Sequence, residues 1–317
     1  MSSTDNIEAD DAAADLPRCA SCGKSELDGI KLTECTDCKS VQYCSDTCQE
    51  LHRPEHEAKC KERAAELRDE LLFQQPEGTH LGDCPICCLP LPLATKTSIN
   101  SCCSKLICDG CLYADIVRHV QNIHVQSHHQ HIQPTVSSFT CPFCRHPRPE
   151  TNEEGDNNLM ERVAANDAVA TCNLGQRHYR DGDYEDAFKY FTKSAELDDA
   201  EAHHRLTQMY HYGHGVEKDE TKKLFHLEKA AIAGHPHARY NLACYEEDKG
   251  RYDRAVKHFI IAANLGDDNS IQALKEYYKD GDISKDDFAA ALRGHYTAVA
   301  ATKSPQREEA ARADSEN

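Results

Sequence analysis

The sequence has no long apolar run, and this absence limits where the chain can act. No apolar stretch approaches the roughly 20 consecutive residues that a membrane-spanning helix needs, and the mean hydropathy is −0.71. The first 17 residues are acidic, with no basic side chain and no apolar segment like that of a secretory signal. We therefore expect a soluble intracellular protein, cytoplasmic or nuclear, with no membrane partner.

Positive charge and catalytic motifs are also scarce. The chain has 36 Lys and Arg residues against 54 Asp and Glu residues, a formal net charge of −18 with His neutral, and no basic stripe. Such a chain repels a phosphate backbone, so no nucleic-acid partner is expected. The sequence contains no glycine-rich phosphate loop, nucleophile elbow or metalloprotease His-Glu motif. We therefore assign no catalytic residue and do not expect a hydrolase.

Cysteine, in contrast, is abundant and unevenly placed. The 317-residue chain has 18 cysteines, and 16 of them lie between Cys19 and Cys144. A chain of this length typically holds two or three domains. The clustering indicates a metal-binding first half and an ordinary globular second half.

The first cysteine block, residues 19–60, has the spacing of metal ligands. Zinc takes four thiolate or imidazole ligands in a closed tetrahedral structural site, so eight ligands predict two ions. A disulfide knot is the alternative, but a reducing compartment and a histidine among paired cysteines favour zinc. The eight candidate ligands are Cys19, Cys22, Cys35, Cys38, Cys44, Cys48, His56 and Cys60.

The order of these ligands, together with Tyr43-Cys44-Ser45 and Cys48-Gln49, resembles the MYND zinc finger over the whole block. The resemblance implies interleaved sites. One zinc would take Cys19, Cys22, Cys44 and Cys48, and the other Cys35, Cys38, His56 and Cys60. Arg53 stands where many family members carry a Trp that helps to form a peptide groove.

The second cysteine block, from Cys84 to Cys144, resembles a RING finger through Cys84-Pro85-Ile86-Cys87 and Cys141-Pro142-Phe143-Cys144-Arg145. The resemblance implies a first zinc on Cys84, Cys87, Cys108 and Cys111. The second zinc would use Cys141 and Cys144 with two ligands from the middle of the block. Cys102 and Cys103 are the candidates there, because Lys105 occupies the usual His position; Cys88 is a spare. One or two zinc ions are therefore expected in this block.

An insertion separates Cys111 from Cys141. Its apolar residues, from Leu112 to Ile123, recur at helical spacing. It ends in His124, His128, His129 and His131, which could be metal ligands or a solvated loop.

From about residue 165 the chain repeats itself every 32 to 36 residues. Such periods with helical spacing inside each unit predict a helix–turn–helix solenoid. Asn173-Leu174-Gly175 and the stretch from Tyr212 to Asp219 resemble Sel-1-like repeats, relatives of tetratricopeptide repeats. The recurring positions are Leu174, Leu206, Leu242 and Leu274; Ala195, Ala231 and Ala263; and Phe191, Leu227 and Phe259.

These patterns predict a mainly α fold: two small zinc-stabilised fingers followed by an α-helical repeat solenoid. A helix after Cys60 would end near Pro76-Glu77-Gly78. The expected segments are a disordered acidic tail (1–17), a first finger (18–60), a linker helix (61–79), a second finger (80–147), a linker (148–164), a repeat domain with a terminal helix (165–300) and a polar tail (301–317).

Two functions fit this organisation. The first is a scaffold that binds other proteins or peptides through the first finger and the concave face of the solenoid. The second is a RING-type ubiquitin ligase whose repeats recruit substrate. The resemblance implies that Ile86 and Pro142 would then dock a ubiquitin-conjugating enzyme, with Arg145 bonding enzyme and ubiquitin. The sequence carries no signature of the methyltransferase domain that some MYND proteins have, so we do not expect a methyltransferase.

Overall fold

The computed structural model describes residues 17–26, 29–93, 98–127 and 140–315. The chain divides into two compact units, Met1–Gln74 and Gln75–Asn317. The acidic segment 1–16 and His128, His129 and His131 lie outside the described residues, as does the side chain of His124. Within the described ranges, no helix is long and apolar enough to cross a bilayer.

The first unit is a two-stranded sheet followed by one long helix. Strands β1 (Thr33–Glu34) and β2 (Gln42–Tyr43) pair antiparallel. Helix α1 (Asp46–Leu72) begins after Ser45, whose hydroxyl accepts the Cys48 N–H at 3.3 Å. The helix expected after Cys60 therefore begins inside the first finger. Its early start has a local reason, because the Ser45 cap satisfies one of the free N–H groups of the first turn.

The second unit opens with the second finger. Strands β3 (Ser98–Asn100) and β4 (Lys105–Ile107) form a hairpin, and helix α2 (Asp109–Ser127) follows. The insertion predicted to be helical is thus helical at least to Ser127.

The segment 148–164, expected to be a linker, contains helix α3 (Asn152–Ala164). Thr151 accepts the Glu154 N–H at 3.1 Å, and the Glu154 carboxylate accepts the Glu150 N–H at 2.7 Å. These two hydrogen bonds, one at the N-cap residue and one at the residue before it, stabilise a helix start in a polar sequence. Leu159 then packs in a buried cluster with Leu174, so α3 extends the repeat stack.

Eight helices form the repeat domain. Three of them end at a glycine: Gly182, Gly213 and Gly281 are C-cap residues with positive φ. Asp198, at the position where later repeats have Gly234 and Gly266, also has positive φ (+60°). The helices are α4 (Ala168–Asp181), α5 (Tyr184–Ala195), α6 (Ala200–Tyr212), α7 (Glu220–Ile232), α8 (Pro236–Asp248), α9 (Tyr252–Asn264), α10 (Asp268–Asp280) and α11 (Lys285–Ala301).

The residues predicted to fill the layers between helices are all buried. Phe191 packs with Leu206, and Phe259 packs with Leu274, each bridging one repeat to the next. The small alanines allow this close approach, as the periodicity predicts. The solenoid prediction is confirmed.

The expected polar tail is also helical over α12 (Pro305–Ser315), which packs against α2 of the second finger. Ala310 is buried there. The segment predicted as a polar tail thus contains a helix, because tertiary packing stabilises a helix whose own sequence is almost entirely polar.

Candidate metal centres

Four of the five Cys-x2-Cys pairs lie in turns that share one backbone geometry, whereas the fifth, Cys108 and Cys111, lies at the start of helix α2. In the turn that begins at Cys84, the Cys88 N–H donates to the Cys84 carbonyl at 2.8 Å, and the Cys84 N–H donates to the Leu89 carbonyl at 2.9 Å. The residue after the second cysteine has positive φ in every turn: Gly23, Lys39, Cys88 and Arg145. This arrangement directs both sulfurs of each turn to the same side. It also assigns Cys88 to a turn position, where it is exposed.

The first finger brings together the two ligand sets that the resemblance implied. Within each set, all ligand atoms lie within 4.8 Å of one another. Sγ of Cys44 is 3.5 Å from Sγ of both Cys22 and Cys48. In the other set, Nε2 of His56 is 3.2 Å from Sγ of Cys38. His56 and Cys60, four residues apart on α1, reach the same cluster because they share one face of the helix.

Backbone amides aimed at sulfur favour the thiolates that zinc requires. Burial raises the pKa of the Cys19 thiol, but backbone N–H donors from Cys22, Cys44 and Ser21 outweigh burial and lower that pKa to about 6. A sulfur held in this way is prepared to bind a cation.

The second finger contains two further sets of four sulfurs, each also within 4.8 Å. Cys84, Cys87, Cys108 and Cys111 form the first, and three of these four are buried. Sγ of Cys87 is 3.8 Å from Sγ of Cys108.

The adjacent residues Cys102 and Cys103 both join the second set of this finger. Sγ of Cys102 is 3.3 Å from Sγ of Cys144, and Sγ of Cys103 is 3.8 Å from Sγ of Cys141. The tight turn of the β3–β4 hairpin makes this possible. The N–H groups of Cys103 and Ser104 both donate to the Asn100 carbonyl.

Lys105, at the position where a histidine was expected, points elsewhere. Its Nζ lies 6.0 Å from the centre of the Phe143 ring. Cys102 and Cys103 are thus the two middle members of this set, and Lys105 is not among its members.

The three residues of the ligase hypothesis lie at the surface near these sets. Ile86 is 42% exposed and Phe143, beside the half-buried Pro142, is 44% exposed. Arg145 is exposed and has positive φ (+64°).

A third type of cluster, which the sequence did not indicate, joins the second finger to the repeats. The rings of His80 and His235 stack at 4.1 Å, and Nε2 of His235 lies 3.0 Å from a carboxylate oxygen of Glu201. Nε2 of His80 lies 3.6 Å from the same oxygen. Nothing in the local sequence could have indicated this cluster, because its members are brought together only by tertiary packing.

This histidine cluster has the hydrogen bonding of a structural network. Nδ1 of His235 accepts the Ala238 N–H at 3.2 Å, at the start of α8. The neutral ring therefore carries its proton on Nε2, which donates to Glu201. A metal ion on Nε2 would have to displace that proton while Nδ1 remains an acceptor. Burial lowers the pKa of His235 to about 4, in keeping with a neutral ring.

The same region forms a cavity of about 520 Å³ between the second finger and the repeats. Leu81, Leu93 and Leu106 of the finger line one side, and Cys172 of α4 and His204 of α6 line the other. The first helices of two repeats thus face the chain's own finger.

Comparison with known proteins agrees with the first finger and the repeats. Residues 19–60 match the family model of the MYND finger, and residues 168–199, 200–235 and 236–267 each match that of the Sel1 repeat. The chain carries a MYND finger and three Sel1 repeats. No protein with a curated description matches it.

Two solved structures are similar to part of this chain. One is a Sel1 repeat protein from Oxalobacter formigenes, with 23% identity and a TM-score of 0.40 over 47% of this chain and 66% of that one. The other is a protective antigen with an SLR fold, present in uropathogenic Escherichia coli strains, with 28% identity and a TM-score of 0.39 over 47% of this chain. The match covers 33% of that second protein.

Proposed function

We propose that the protein is a zinc-stabilised scaffold that binds other proteins, with one zinc ion in each of its four ligand sets. The observation that carries the proposal is the completeness of these sets, each of which supplies four ligand atoms within 4.8 Å. A tetrahedral ion with four protein ligands has no open position for water or substrate, so its contribution is structural. Thiolate sites of this kind persist in a reducing compartment, which favours the cytoplasm or nucleus.

The MYND finger and the repeats are the candidate partner surfaces. In the finger, α1 exposes Leu51, 71% accessible, close to Arg53. In the repeats, the second helices expose Phe225 on α7, Tyr252 on α9 and Tyr296 on α11. Because α4 and α6 face the second finger, we place the partner surface on these second helices and not on the first helices.

A displayed peptide library tests this proposal. Peptides selected on the zinc-loaded chain should divide into those that Cys35→Ser abolishes and those that a Phe225→Ser, Tyr252→Ser double variant abolishes. Leu197→Ser, which removes another exposed apolar residue of the repeat domain, is the matched control and should change neither class. Recovery of no peptide that responds to either variant would contradict the scaffold.

A second candidate is the ubiquitin ligase, favoured by the exposure of Ile86 and Phe143 beside the ligand turns of the second finger. RING fingers act by positioning a ubiquitin-conjugating enzyme, without a covalent intermediate, so an exposed apolar patch is the required feature. The matching test is self-ubiquitination with a panel of conjugating enzymes. Ile86→Ala and Arg145→Ala should both abolish activity, whereas Leu51→Ala in the other unit should not. No chain formation with any enzyme of the panel would rule against the ligase.

A further inference from the structure

Helix α12 delivers one arginine to the first ligand set of the second finger. Nη2 of Arg307 donates to Sγ of Cys87 at 3.4 Å and to the Leu89 carbonyl at 3.2 Å. Nη1 donates to the Pro90 carbonyl at 2.7 Å and to the Thr302 carbonyl, also at 2.7 Å. Both terminal nitrogens therefore bond to the ligand loop, and the Thr302 bond ties the side chain to the C-terminal end of α11.

A glycine next to the ligands gives independent evidence that α12 lies close to this ligand set. Gly110 lies between Cys108 and Cys111, and a Cβ at this position would come within 2.8 Å of Cγ and 2.9 Å of Cα of Arg307. Such distances are shorter than carbon atoms tolerate, and the obstructing atoms include backbone. Helix α12 thus packs directly on the first turn of helix α2, next to the two ligands Cys108 and Cys111.

The chemistry of the ligand set explains why an arginine suits this position. Four thiolates carry more negative charge than one zinc ion neutralises, and most of this set is buried. Hydrogen bonds to ligand atoms orient them and adjust metal affinity, and their loss typically costs about 10- to 100-fold. Guanidinium keeps its charge when buried and presents several donors in one plane, so it can bond a sulfur and the neighbouring carbonyls together.

We propose that Arg307 is a positioning residue for the first zinc of the second finger, donating to the metal-bound Cys87 thiolate and holding the loop from Cys87 to Pro90. The C-terminal helix is then part of a zinc site whose ligands lie some 200 residues earlier in the chain. The inference rests on the proposed zinc occupancy of this set.

The test compares zinc retention in Arg307→Ala, Arg307→Lys and Arg312→Ala. Arg312 lies on the same helix, is exposed and bonds the Glu308 carbonyl, so it is the matched control. Zinc per chain is counted by native mass spectrometry, and affinity is measured by competition with a chromophoric chelator. Arg307→Ala should weaken one of the four sites by about 10- to 100-fold. Arg307→Lys keeps the charge but loses the planar donors, so its zinc affinity should lie between those of the wild type and Arg307→Ala.

A spectroscopic measurement separates a bond to sulfur from general support of the fold. In cadmium-substituted protein, the resonance of the site assigned through the Cys87 Hβ protons should shift in both Arg307 variants and not in Arg312→Ala. If Arg307→Ala fails to fold, the lysine variant supplies both readouts. Affinity and cadmium spectrum equal to those of Arg312→Ala would overturn the inference. Absence of zinc from the wild-type set would instead overturn the proposed function.

Discussion

Nε2 of His56 lies 3.2 Å from Sγ of Cys38, and this contact joins helix α1 to the turn before strand β2 in the first finger. Few large apolar residues pack around this contact. Apart from cysteines, the buried cluster of the first finger holds Leu32 and Tyr43, with Val41 partly buried. A core this small does not stabilise a fold without an additional constraint.

We therefore expect Cys35→Ser to unfold the first finger and to leave the repeats helical. The variant removes one ligand from the set that contains Cys38 and His56, and zinc binding supplies folding free energy in fingers of this size. Native mass spectrometry should show loss of zinc, while circular dichroism retains the helical signal of the second unit. Unchanged zinc content would contradict the assignment.

The number of zinc ions tests the unusual pair at the β3–β4 turn. We expect four ions in the wild type, one per ligand set. Cys102→Ser should lower the count to three, because its sulfur contacts Cys144. Cys88→Ser should leave the count at four, since that exposed thiol occupies a turn position. Equal counts for the two variants would show that Cys102 is not a ligand.

Two glycines with positive φ provide a matched test of the loop between α6 and α7. A Cβ at Gly215 (φ +67°) would lie 2.2 Å from the Tyr184 carbonyl oxygen, whereas one at Gly182 (φ +84°) meets no atom within 4 Å. Gly182→Ala should cost about 1–2 kcal/mol for its backbone conformation alone. Gly215→Ala must also move backbone, so we expect at least about 2 kcal/mol more. Urea unfolding followed by circular dichroism measures the difference, and equal costs would contradict this packing.

The stability of the repeats should fall as the pH drops from neutral toward 5. Burial lowers the pKa of His235 to about 4 from 6.5, so the unfolded chain takes up this proton at a higher pH than the folded chain does. The stabilising contribution of the neutral His235 ring is fully present above about pH 6.5, and it is lost as the pH falls toward the folded-state pKa of about 4. For this group alone the loss between pH 7.5 and pH 5 is about 2 kcal/mol.

His235→Asn isolates this contribution, because asparagine can still accept the Ala238 N–H as an N-cap but does not titrate. The groups that face the His235 ring are His80, Glu201, His204 and His237. They and the zinc ligands remain in both proteins. The difference between the urea midpoints at pH 7.5 and pH 5 should therefore be smaller in the variant than in the wild type. An identical pH dependence in the two proteins would contradict the buried, neutral state of His235.

The sequence predicted the structure best where one type of residue recurs at a fixed spacing that only one kind of structure explains. The repeat core was predictable because Leu242 and Phe259 occupy positions that recur with the solenoid period, and burial follows from that period. Paired cysteines similarly predicted groups of four candidate ligands, with Cys102 and Cys103 as candidates for the last one, and the structure brings the members of each group together.

What could not be predicted depends on contacts between distant segments. Helix α12 has a polar sequence, and only the packing of Ala310 and Arg307 on the second finger accounts for its folding there. His80 and His235 become neighbours through the docking of that finger on the repeats. Helix α3 is a different case: Thr151 and Glu154 carry a recognisable capping pattern that the polar composition of the segment concealed.

The packing of α12 on the ligand turn of the second finger has a practical consequence for dividing this protein. The order of motifs suggests that the repeats could be expressed alone from about residue 165, or the second finger alone to about residue 147. Either cut would separate Cys87 from Arg307 and expose apolar surface on both pieces. The division that respects the packing is the one between Gln74 and Gln75.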